Sequence, residues 1–251
     1  MTDAELTARL RANLLTFRLL QARQGRLRMR ELPGVRAFAL PELGGNLFQQ
    51  QILYEEARAL AGALEPLEAW YHELGVRTWR VPVYPGDATA EAVLTRAGYR
   101  PGDCLPAMGL ALAHPPPQLP AGLTLEHPDD LDAVLTLNAL FYGQDSVAHL
   151  ETWRTPPLPS AQVHVVLVRE AGRALAGGVC VEQGDTAGIY LVATHPGARR
   201  RGLGALVMQA LHADALARGR TVAVLQASPM GHPLYQRLGY RDLGGWTSWV
   251  R

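Results

Sequence analysis

Arg199, Gly202 and Gly204 stand in the spacing Arg-x-x-Gly-x-Gly, a pattern suited to binding a pyrophosphate. Glycines let an anion approach the main chain, and where such a run opens a helix, successive N–H groups and the positive helix end can wrap the phosphate oxygens. The string by itself decides little. With 24 basic residues, all of them arginine, and 25 glycines among 251 positions, about one chain in four of this composition carries the pattern by chance. A looser copy, Arg169-x-x-Gly172-x-Ala174, is present, but it bridges two strand-like runs. The copy at 199 lies between a strand and a helix, and this context separates the two.

Composition closes off other chemistries. Without lysine there is neither a Walker lysine nor a Schiff-base lysine. A net charge of +1 leaves no basic surplus for a phosphate backbone, so no nucleic-acid partner is expected. Cys104 and Cys180 form no C-x-x-C and no histidine pair has metal-ligand spacing, so no metal is expected and both cysteines read as buried free thiols in a reducing compartment. Asp3 and Glu5 stand where a secretory signal carries positive charge, and no apolar run approaches the ~20 residues of a membrane span. These features predict a cytoplasmic protein with no membrane partner.

The elements that must position the motif follow from periodicity. Thr2 and Glu5 form a capping box ahead of Leu6, Leu10, Leu14, Phe17 and Leu20, which predicts an amphipathic helix over 3–22 carrying no chemistry. A short strand is expected at 35–40 and a helix interrupted at Pro66 over 47–74, followed by a strand at 78–84, a helix at 90–96 and a strand at 107–112. After a strand at 123–125 and a helix over 128–140 stopped at Gly143, strands at 163–169, 174–182 and 188–194 form a meander. The run 199–204 then opens a helix closed by Gly219, and a strand at 221–227, a short helix at 233–238 and a strand at 246–250 complete the chain.

The two halves end alike. Leu94-Thr95-Arg96-Ala97-Gly98-Tyr99-Arg100 aligns with Tyr235-Gln236-Arg237-Leu238-Gly239-Tyr240-Arg241, each preceded by Arg-Thr at a strand start, Arg77-Thr78 and Arg220-Thr221. This order and spacing predict a degenerate duplication. The proline-rich segment 114–121 is the natural linker, dividing the chain into 1–113, with the N-terminal helix, and 122–251.

The run Leu191-Val192-Ala193-Thr194-His195-Pro196 through Gly204 resembles the signature of the GNAT superfamily of acetyl-coenzyme A dependent N-acetyltransferases. Tyr235-Gln236-Arg237-Leu238-Gly239-Tyr240 is similar to the family's last motif, in which a tyrosine lies near the coenzyme sulfur. The likeness is good over 188–250, extends in element order over 123–187, is faint over 35–112 and is absent over 1–34. It implies an α/β fold of two GNAT-like mixed-sheet halves, the C-terminal one complete with splayed central strands and the N-terminal one degenerate.

By the same resemblance acetyl-CoA is the co-substrate. Its pyrophosphate would lie on the N–H groups of Arg201, Gly202, Leu203, Gly204 and Ala205, with charge from Arg199, Arg200 and Arg201. Val192, Ala193 and Thr194 would hold the pantetheine arm through their backbone, and Tyr235 would protonate the leaving thiolate. Strand alternation puts Gly188, Tyr190, Val192 and Thr194 on one face, which in the family looks toward the acceptor. Many members carry a glutamate where this chain has Gly188, so the usual base is missing. Proton removal is left to Glu182, Asp145, His149 or His164, and Tyr190, Trp246 and Trp249 are candidates for lining the acceptor pocket.

The expected activity is acetyl transfer to a primary amine, a small molecule before a protein, by direct attack in a ternary complex. Two alternatives stay open: an acyl-CoA-binding or sensor module without turnover, and transfer to a protein N-terminus. Acceptor choice would lie in loops such as 141–160, and a homodimer stays open as well.

Overall fold

The computed structural model describes residues 1–23, 27–43, 45–113, 116–142 and 161–251, with the main chain alone at 141 and 142. In chain order the elements are α1 (Asp3–Arg23), β1 (Arg28–Leu32), β2 (Val35–Ala39), β3 (Gln51–Tyr54), α2 (Ala57–Glu73), β4 (Arg80–Val83), α3 (Ala88–Arg96) and β5 (Arg100–Ala111). They continue as β6 (Leu123–Glu126), α4 (Asp132–Tyr142), β7 (Val163–Glu170), β8 (Arg173–Gln183), β9 (Thr186–Thr194), α5 (Leu203–Ala217), β10 (Val222–Gln226), α6 (His232–Arg237) and β11 (Arg241–Val250).

Two compact units result, and neither is continuous in sequence. One holds residues 1–17 and 107–243, the other 18–106 and 244–251. In the first unit the strands run β5-β10-β9-β8-β7-β6, all antiparallel except the pair of β9 and β10. In the second they run β1-β2-β3-β4-β11, again antiparallel except β3 with β4. The scheme is the same twice: a three-stranded meander, a helical crossover to a parallel strand, then an antiparallel closing strand. In each unit that closing strand comes from the other half of the sequence, residues 107–111 beside β10 and residues 247–250 beside β4.

Local chemistry explains most of these elements. The Thr2 N–H donates to the Glu5 carboxylate at 2.6 Å and the Glu5 N–H to the Thr2 hydroxyl at 3.2 Å, the reciprocal cap expected for α1. Helix α5 buries Leu203, Leu206, Val207, Ala210, Leu211 and Ala215, a 3.6-residue stripe that packs on Cys180, Ile189 and Ala223 of the sheet. Two expectations are corrected. Residues 51–54 form a buried strand, with α2 starting only at Ala57 and passing Pro66 without a break; a four-residue apolar run has no period long enough to tell strand from helix. Of the two free thiols, Cys180 is buried and Cys104 exposed.

Candidate functional site

Strand β9 shapes the site. Its pairing with β10 covers Thr186, Ala187 and Gly188 and stops there, although β9 runs to Thr194 and β10 to Gln226. The two strands part after Gly188, so the far edge of β9 offers backbone groups that β10 does not use, an edge suited to an extended ligand arm.

On its other side β9 pairs with β8 through a bulge. Ala193 faces Gly177 but Tyr190 faces Val179, so one extra residue is inserted, and Leu191 takes φ +53°. The Asn138 side chain of α4 clasps this point, donating to the Leu191 carbonyl at 2.8 Å and to the Val134 carbonyl at 2.9 Å. The bulge overturns the simple alternation. Gly188 and Tyr190 share a face, but Val192 turns to the α5 side, where it packs on the core of α5. Thr194 lies there too, its Oγ1 3.7 Å from the point where a Cβ on Gly204 would stand.

Past Thr194, the His195 ring caps the turn by accepting from the Gly197 N–H at 3.1 Å. Arg200 takes φ +62° and Gly202, at the N-cap of α5, φ +77° with no side-chain cap. A side chain at Gly202 would be strained by that φ while meeting nothing within 4 Å, so the glycine serves the turn and leaves space beside it. The first-turn N–H groups of Leu203, Gly204 and Ala205 have no acceptor inside the helix. Arg199, Arg200 and Arg201 are exposed, but their charge is not all at the helix end. The two guanidinium nitrogens of Arg201 reach the Glu170 carboxylate at 2.6 and 3.1 Å, which holds the Glu170 carboxyl below its ordinary value.

Helix α6 is brought to the same place, since Leu234 stands 3.2 Å from a Cβ built on Gly204. Tyr235, the next residue, is buried. Its ring packs against Gly231, with Tyr240 at 5.8 Å between centroids. The Tyr240 hydroxyl meets His212 Nε2 at 2.8 Å, and burial pushes the Tyr240 phenol well above its ordinary value.

On the opposite face of β9 stands a residue that the periodicity of α1 did not credit with chemistry. The Asn13 side chain, fully buried, donates to the Val181 carbonyl at 2.8 Å and accepts from the Tyr190 hydroxyl at 2.7 Å. Phe17 packs on the Tyr190 ring at 4.9 Å. A Cβ on Gly188 would lie 1.8 Å from Asn13 Oδ1. The signal was legible, because Asn13 is a polar residue on the apolar stripe of Leu6, Leu10, Leu14 and Phe17.

Two sequence candidates stand on the other face of the sheet from Tyr190. Glu182 points to the α5 side, 4% exposed, where Arg218 and Arg220 hold it at 2.8 and 2.9 Å. His164 joins it at 3.5 Å, its imidazole held below the usual value first by burial and then by Arg218. Trp246 and Trp249 are buried in the other unit, Trp246 edge-on to Tyr84 at 4.7 Å. Asp145 and His149, and the loop expected to choose the acceptor, lie outside the described residues apart from the main chain of 141 and 142. Among the described residues there is no group of three or more His, Cys, Asp or Glu placed to hold a metal, and no helix long and apolar enough to cross a membrane.

Residues 161–242 match the family model of the acetyltransferase (GNAT) domain. The chain carries a GNAT acetyltransferase domain. The GNAT match covers the meander, the parted strands, the turn at Gly202 and helix α6. Its fold is shared by a GCN5-related N-acetyltransferase from Kribbella flavida at 20% identity and TM-score 0.66, covering 95% of this chain and 94% of that one. A GCN5-related N-acetyltransferase from Sphaerobacter thermophilus matches at 17% identity and TM-score 0.59, covering 87% of this chain and 76% of that one. A tandem GNAT protein from the clavulanic acid biosynthesis pathway matches at 18% identity and TM-score 0.59, covering 80% of this chain and 74% of that one. At these identities the likeness is one of fold. No curated protein matches the sequence.

Proposed function

We propose that the GNAT domain transfers an acetyl group from acetyl-CoA to the primary amine of a small molecule, by direct attack in a ternary complex. The observation that carries this reading is the turn at Gly202, whose φ of +77° opens helix α5 beside the edge of β9 that β10 leaves unpaired. The residues fit the group. First-turn N–H groups of Leu203, Gly204 and Ala205 would donate to pyrophosphate oxygens, with Arg199 and Arg200 adding charge and Arg201 adding less because Glu170 shares it. Backbone groups of Val192, Ala193 and Thr194 along the open edge would hold the pantetheine arm as a strand holds its neighbour. Bound there, acetyl-CoA supplies an activated acyl carbon and a thiolate leaving group.

The chain's own part is positioning and proton supply. The edge of β9 orients the thioester, and Tyr235 donates its hydroxyl proton to the departing sulfur as the new N–C bond forms and the C–S bond breaks. The amine loses one proton to water, which restores the phenol. The N-terminal repeat, 1–113 ahead of the linker 114–121, serves as scaffold for the repeat 122–251. Its crossover helix α2 begins at Ala57, preceded by Glu55 and the N-cap Glu56, two carboxylates where α5 has its glycine turn, and they would repel a pyrophosphate.

Gly202→Val tests the assignment. A β-branched residue is poorly tolerated at that φ, so calorimetry should show acetyl-CoA binding lost by at least tenfold, with circular dichroism confirming a folded chain. Equal affinity in wild type and variant would remove the turn from the binding site.

A further inference from the structure

Resting on the acetyl-transfer reading, we propose that Asn138 is a positioning residue for the acyl donor: by holding the Leu191 carbonyl, it aims the Val192 N–H at the carbonyl oxygen of the acetyl thioester.

Leu191 and Val192 stand together opposite Gly178, and neither has a register partner on β8. Nor does β10 reach them, since its pairing with β9 ends at Gly188. The peptide group that joins them therefore lies outside both ladders. Leu191 sits at φ +53°, a region that a leucine keeps only where its surroundings impose it.

Asn138 imposes it. Its Nδ2 faces two carbonyls, that of Val134 at 2.9 Å and that of Leu191 at 2.8 Å. A carbonyl only accepts, so both amide hydrogens are committed and the orientation of the amide is settled. The bond to Val134, one turn back on α4, fixes the side chain to its own helix, and Asn138 is buried.

Two glycines let helices close on this point from opposite faces. A Cβ on Gly177 would lie 2.8 Å from Val134 Cγ2 and 3.0 Å from the Val166 carbonyl oxygen, so the missing side chain is what lets α4 approach closely enough for Asn138 to reach β9. A Cβ on Gly178 would lie 3.1 Å from Val192 Cγ2, Val207 Cγ1 and Leu211 Cδ1, on the side where α5 packs.

A trans peptide is planar, with its C=O and N–H pointing in opposite directions. Holding the Leu191 oxygen toward α4 thus turns the Val192 N–H away from α4, to the face that carries α5 and Tyr235. A thioester carbonyl accepting this N–H is polarised, and the charge that gathers on its oxygen as an amine adds is stabilised. Asn138 touches no substrate and acts by fixing the peptide plane.

The test is calorimetry on the full chain with acetyl-CoA and with its thioether S-ethyl-CoA, which has a methylene in place of the carbonyl. The wild type should bind acetyl-CoA about fivefold more tightly, the worth of one hydrogen bond. In Asn138→Leu, which branches at the same atom and lacks both donors, the two ligands should bind alike. S-ethyl-CoA should stay within about threefold of its wild-type affinity, while kcat with an amine that the wild type acetylates falls at least tenfold. Asn138→Ser can still bond back to Val134 but is too short to reach Leu191; it should behave the same and serves if the leucine variant does not fold. Equal binding of both ligands by the wild type would overturn the proposal, as would a folded variant that keeps the preference or loses both ligands to the same extent. Acetyl-CoA bound with that preference but no amine turned over would overturn the transfer reading and leave the Val192 contact standing. A wild type that binds neither ligand would overturn the acetyl-CoA reading, and this inference with it.

Discussion

Leu94 in the N-terminal repeat occupies the place that Tyr235 occupies in the C-terminal one. The carbonyl of each accepts from the N–H of a tyrosine five residues on, Tyr99 and Tyr240, at 3.0 Å in both cases. The intervening glycines, Gly98 and Gly239, take φ +84° and +89°. The turn is the same, and only the C-terminal copy carries a phenol at its first position.

This pair separates packing from chemistry at Tyr235. Tyr235→Phe removes only the hydroxyl, and Tyr235→Leu copies a side chain that the other repeat already buries in this turn. Both variants should fold and bind acetyl-CoA, while kcat and kcat/KM fall together by about 10² to 10⁴. Single-turnover measurement avoids a slow product release hiding the defect. A Phe variant keeping more than about a third of wild-type single-turnover rate would take Tyr235 out of the mechanism.

Positions 13 and 188 share one side-chain volume, and stability should show it. Gly188→Ala forces Asn13 to abandon Val181 and Tyr190, at an expected cost of about 2–4 kcal/mol in urea unfolding. In an Asn13→Ala background the same alanine should cost less than about 1 kcal/mol, since the obstructing amide is gone. Additive losses would show that the two side chains do not compete.

Glu182→Gln distinguishes a structural carboxylate from a base. It leaves Arg218 and Arg220 facing a neutral amide, with an expected loss of about 1–3 kcal/mol of stability. Turnover measured below the melting range should stay within about threefold of wild type. A tenfold fall in kcat at preserved stability would return Glu182 to the reaction.

The two thiols should differ in reactivity. Burial pushes the Cys180 thiol up to about 12, whereas Cys104 is exposed. A disulfide reagent at pH 8 should titrate one thiol rapidly in the native chain and the second only in denaturant. Two fast equivalents would contradict the burial of Cys180. Assays that detect released coenzyme A with such reagents carry a baseline of about one equivalent per chain from Cys104.

What the sequence made legible was local. The cap at Thr2, the glycine turn ahead of Leu203 and the stripe of α5 each depend on residues within a few positions of one another, and all are present in the structure. The twinned turns at Gly98 and Gly239 were legible for the same reason. What escaped was non-local. The role of Asn13 depends on Val181, Gly188 and Tyr190, far along the chain. The single inserted residue near Leu191 reverses the side of Val192, and period-two alternation cannot foresee a bulge. Glu182, a candidate for proton removal by its position in the strand, is held instead by Arg218 and Arg220 from beyond the end of α5.

The crossed closing strands bear on what either half of the sequence can build alone. Residues 1–17 and 107–111 belong to the unit that carries the GNAT turn, so a fragment starting after the linker would leave β10 with a bare edge and its sheet without α1. The N-terminal half of the sequence thus supplies a strand and a helix to the unit that carries the GNAT turn.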